Sequence, residues 1–115
     1  LRPNKNPQAA QLWAELAMQH DGSDRWYIEA LGIGADQQWD SFFQAWLDRV
    51  GDKWNTPGGR DIVWRCRSPK ACHYLAEIIT TTDSEQEQLR YFRAFDFHSG
   101  DAKQAALKEL LVAQN

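Results

Sequence analysis

The segment Cys66-Arg-Ser-Pro-Lys-Ala-Cys72-His73 gathers the most reactive side chains in the chain. Covalent haem attachment needs Cys-x-x-Cys-His, so that two thioethers and an axial imidazole meet one macrocycle. Here Pro69 stands three residues before Cys72, and the nearest other cysteine is Cys66. The spacing excludes that chemistry at this site. A structural zinc site wants four ligands, and the whole chain has 3 histidines and 2 cysteines scattered along it. What remains is a disulfide or a pair of buried thiols. Cys66 and Cys72 flank a tight turn between two helical patterns, so their Cα atoms could fall within bridging range. The residues alone leave both alternatives open.

The other candidates are weaker. His98 lies between Asp96 and Asp101, a base with a possible orienting acid but no nucleophile beside it. It reads as a turn histidine. His20 closes an apolar stripe and reads as a helix C-terminal cation or a core residue. Asp21-Gly-Ser-Asp24 starts like a calcium loop but lacks the spaced oxygens and distal Glu of one. It reads as a turn followed by a helix cap. Gly32-Ile-Gly34 lacks the third glycine and the preceding strand of a dinucleotide fingerprint. Thr56-Pro-Gly-Gly-Arg60 sets amides and an Arg at a helix start, which could hold an anion but reads better as a helix entry. Trp54, in the turn-rich Gly51-Asp-Lys-Trp-Asn-Thr-Pro link, is either exposed or a plug for a hairpin end. If exposed, Trp54 and Arg60 are the expected contacts for a ligand or partner. No catalytic residue, resident cofactor or metal ligand is expected in the chain.

The elements that must position these residues are helical. Seven amphipathic segments each carry a start signal. The first follows Asn6-Pro7 and aligns Ala9, Leu12, Trp13, Leu16, Ala17 and His20. The second, capped by Ser23, aligns Trp26, Tyr27, Ala30, Leu31 and Ile33, with Gly32 and Gly34 ending it. The third starts from Asp36, aligns Trp39, Phe42, Phe43, Trp46, Leu47 and Val50, and stops at Gly51. Thr56-Pro57 opens the fourth, with Ile62, Val63 and Cys66 inward. Ser68-Pro69 opens the fifth, with Cys72, Leu75, Ala76 and Ile79 inward. Its β-branched end, Ile78 to Thr82, reads as the frayed last turn of that helix. Asp83-Ser84 opens the sixth, where Ser84 and Glu87 fit a capping box and Leu89, Phe92 and Phe95 form the stripe. Ser99 opens the seventh, with Ala102, Ala106, Leu107, Leu110 and Leu111 inward.

Short connections predict antiparallel hairpins. Arg25-Trp-Tyr-Ile, Arg60-Asp-Ile-Val and Arg90-Tyr-Phe-Arg recur about 30–35 residues apart, the period of two-helix solenoid repeats. The expected fold is therefore all-α: about seven short helices in stacked antiparallel hairpins, a HEAT-like solenoid fragment. An irregular helical bundle is the alternative. Residues 1–6 form a polar N-terminal extension, and 7–115 form a single helical-repeat domain.

Composition limits the function classes. The chain has 115 residues, 43% of them hydrophobic and 25% charged, and a net charge of −3 with both signs interspersed. That is a globular composition with no basic patch for nucleic acid. No apolar run approaches the ~20 residues of a membrane helix. The chain begins with Leu1 and has no signal-peptide pattern, so it reads as an excised or processed piece.

Three segments carry a family resemblance: Asp24-Arg-Trp-Tyr-Ile-Glu-Ala-Leu-Gly-Ile-Gly-Ala35, Val50-Gly-Asp-Lys-Trp-Asn-Thr-Pro-Gly-Gly-Arg-Asp-Ile-Val-Trp-Arg65 and Leu89-Arg-Tyr-Phe-Arg-Ala-Phe-Asp-Phe-His98. From about Gln11 onward the chain resembles the helical region of large exported dehydrogenase-like, c-type haem-binding proteins of the Planctomycetes type. In that family a propeller and HEAT-like helices precede a cytochrome c domain. The resemblance implies a non-catalytic scaffold within a larger exported or periplasmic redox protein. Haem c would then belong to a neighbouring domain, and the partners would be that domain or a separate redox protein. An exported parent also implies some preference for a Cys66–Cys72 bridge. No haem ligand transfers to any residue of this chain.

Overall fold

A computed structural model of the chain describes residues 7–113. Among them are seven α-helices and no strand, so the fold is all-α. The packing divides after Cys66 into two compact units, Leu1–Cys66 and Arg67–Asn115, where the sequence predicts one domain over 7–115. The predicted 1–6 extension lies outside the described residues.

The first unit holds α1 (Pro7–Met18), α2 (Arg25–Ala35), α3 (Trp39–Val50) and α4 (Pro57–Arg65). A 3-10 turn, Gly51–Lys53, follows α3. α1 packs chiefly on α3, next on α2, and α4 rests on α2 and α1. The hairpin rule predicts neighbours in sequence as the main partners, but α3 is two helices away from α1. The side chains give the reason. Trp13 meets Trp39 edge-on at 5.5 Å and Phe42 at 5.6 Å between ring centres. Ala14 and Ala17, both buried, share that face of α1 and let a neighbour approach closely. Phe43 and Trp46 are buried behind them, each contributing about 1.5–3 kcal/mol by burial.

The second unit holds α5 (Ala71–Thr81), α6 (Glu85–Ala94) and α7 (Asp101–Ala113), with a 3-10 turn at Phe95–Phe97. α5 packs chiefly on α7 and next on α6. Ala71, Cys72, Leu75, Ala76, Ile78 and Ile79 are all buried, so α5 is covered around most of its girth. The β-branched end of α5 stays helical through Thr81. The hydroxyls of Thr80 and Thr81 each donate to the Glu77 carbonyl at 2.9 Å. From α6, Gln88 Nε2 donates to the carbonyls of Ile79 and Thr82, satisfying acceptors that the helix end would leave orphaned.

Several starts stand where the sequence places them. Thr56 caps α4, its hydroxyl accepting from Gly59 N–H at 3.0 Å, with Pro57 at the first position. Ser84 caps α6 through the Glu87 N–H. Several boundaries differ. α5 starts at Ala71 after Lys70 and not at Ser68-Pro69, and α7 starts at Asp101 and not at Ser99. Asp24, not Ser23, caps α2, accepting from the N–H groups of Trp26 and Tyr27. Gly32 and Gly34 lie inside α2, which runs to Ala35. Asp36 ends α2, and Gln38 precedes α3.

The buried faces also turn from those predicted. Leu12, Leu16, Trp26, Ile33, Leu89 and Leu111 are exposed, while Ala14, Ile28 and Tyr91 are buried in place of some of them. Arg25, Arg60 and Arg90 are the first, fourth and sixth residues of α2, α4 and α6. The three arginine segments therefore share wording but no common helical position.

Candidate functional site

The most site-like cluster lies where the end of α1 meets the start of α4. His20, two residues beyond α1, is buried, and its Nε2 lies 2.9 Å from Asp61 Oδ2. One face of the imidazole stacks on Tyr27 of α2, with ring centres 5.5 Å apart and planes within 6°. The Tyr27 hydroxyl donates to the Leu16 carbonyl at 2.6 Å. Thus three helices are tied by one histidine, one carboxylate and one phenol.

The backbone explains how His20 reaches this place. Gln19 and His20 close α1 with N–H bonds to the carbonyls of Leu16 and Ala17. The His20 carbonyl then abuts Gly58, where a Cβ would collide with it. A Cβ on Gly59 would collide with the Trp54 carbonyl in the same way. The Thr56-Pro-Gly-Gly-Arg60 motif is therefore a packing device. Its two glycines let two backbone carbonyls seat against the first turn of α4.

A His–carboxylate pair can hold or pass a proton when one nitrogen faces a reacting group. At His20 the side chain is 1% exposed, Nε2 is taken by Asp61 and one ring face by Tyr27. The arrangement serves as a clamp between α1, α2 and α4. Nearby, Asp21 accepts from both the hydroxyl and the N–H of Ser23. These bonds hold its carboxyl below the ordinary carboxylate range. The Asp21–Asp24 stretch is thus the predicted turn plus cap.

No family model matches the chain, no curated protein is detectably similar to it, and no solved structure matches it. The site residues must therefore be weighed on geometry alone.

The structure places the two residues named as possible ligand contacts. Trp54 is 8% exposed and belongs to the core of the first unit. Arg60 is half-buried, and its Nη1 donates to Asn55 Oδ1 at 2.9 Å. The two do not form a shared surface. Cys66 caps the C-terminus of α4 in the first unit, and Cys72 is the second residue of α5 in the second. Both are buried as thiols. Burial pushes the Cys72 thiol above its ordinary pKa, and the Lys103 charge offsets part of that rise.

The remaining histidines sit apart. His98 is buried after the 3-10 turn of the second unit, where Lys103 Nζ donates to its carbonyl at 3.4 Å. His73 lies exposed beside Glu109 at 3.6 Å. Among the described residues no three His, Cys, Asp or Glu side chains gather in metal-binding range. No helix among them is long and apolar enough to cross a membrane.

Sequence reasoning missed the His20–Asp61 pair because 41 residues separate its members. One signal was present: a histidine on an apolar stripe needs a buried polar partner. Trp26 and Ile33, apolar residues of the second segment, stand outward.

Proposed function

We propose that this chain is a non-catalytic helical interaction module of a larger exported redox protein, of the dehydrogenase and c-type cytochrome kind. One observation carries the reading: the His20–Asp61 pair is used to join helices, while several leucines stand exposed outside an apolar core. His20, Asp61 and Tyr27 are spent on joining helices. Leu12 and Leu16 on α1, and Leu89 and Leu111 on α6 and α7, are each between 42% and 65% exposed. Surfaces of this kind mark contact with other protein more often than chemistry. The redox context and the export come from the sequence resemblance. In this reading the haem belongs to a neighbouring domain, and the module docks that domain or a redox partner.

The test has two parts. The purified chain should show helical circular dichroism and no Soret band after denaturation. The gene should encode a Cys-x-x-Cys-His segment downstream of this stretch. A covalently held haem in the chain itself, or flanking sequence without any haem-attachment motif, would overturn the proposal.

A further inference from the structure

We draw no further inference here: the strongest candidate, the exposed apolar face of α2 formed by Trp26, Ala30 and Ile33, carries nothing because nothing in the structure shows what covers it.

Discussion

The two units place their helices alike but fill them differently. In each, the first helix packs chiefly on the third and next on the second. The first unit is filled with rings: Trp13, Trp39, Phe42, Phe43, Trp46 and Trp54 are all buried. It is also pinned by specific polar bonds. Trp13 Nε1 donates to the Leu31 carbonyl at 3.0 Å, and His20 holds Asp61. The second unit fills the same role for its first helix with Ala, Cys, Leu and Ile on α5, and takes Tyr91 and Phe95 from α6 and the turn after it. The first unit thus rests on a few large, individually placed residues, the second on many small ones. That contrast teaches where single substitutions should hurt.

The largest loss is expected at Trp46. Trp46→Ala should destabilise by ~3–5 kcal/mol in urea titration, because the neighbouring rings cannot collapse into so large a void. Ile79→Val on the second unit's central helix should cost only ~0.5–1.5 kcal/mol. Similar losses at the two would erase the contrast. Next comes Gly59→Ala. Its methyl would strike the Trp54 carbonyl, backbone rather than a yielding side-chain tip, so a cost of about 3 kcal/mol is expected. A neutral result would mean that the α4 entry is not tightly seated.

His20→Phe should follow. The ring volume is nearly kept, but Asp61 loses its bond to the imidazole in a site where its side chain is 13% exposed. A cost of ~1–3 kcal/mol is expected by thermal unfolding. His20→Asn, which keeps a donor, should recover part of it. If Phe is tolerated, the clamp contributes packing alone. Ser84→Ala should be smaller, ~1 kcal/mol, for the loss of one helix cap.

The smallest effect is a pH dependence confined to the second unit. Burial raises the Cys72 pKa in the folded chain, so the unfolded thiol ionises first. Stability should be unaffected below the unfolded thiol's pKa of about 8.5 and should decline as pH rises past it. Cys72→Ala should flatten that decline. An unchanged alkaline slope would show that the thiol does not feel its burial.

The helices were legible because their start signals are local. Thr56-Pro57 and Ser84 act through the next three residues, which a sequence displays directly. The buried faces were less legible. On α1 both Leu12–Leu16 and Trp13–Ala17 are apolar pairs at helical spacing, so periodicity allows two stripes. The choice falls to Trp13–Ala17 because Trp13 finds Trp39 and Phe42, contacts set by another helix. On α2 the glycines look like stops but are spaces. Gly32 lies under the Arg65 side chain, which arrives from 33 positions further along. The His20–Asp61 pair was illegible for the same reason, since its members meet only when α4 folds back. Trp54 could be read either way, and the glycines that seat its carbonyl decided for burial.

In the proposed module the His20–Asp61 pair joins helices within an apolar core, and the exposed leucines of α1, α6 and α7 would meet a partner. The most direct measurement is an NMR titration of isotopically labelled chain with a purified c-type cytochrome domain, the partner proposed above. Shifts are expected at the exposed residues of α1, α6 and α7, with Leu12, Leu16, Leu89 and Leu111 among them, and none at His20 or Asp61. Shifts centred on the His20–Asp61 pair, or no shifts at saturating cytochrome domain, would contradict the proposal.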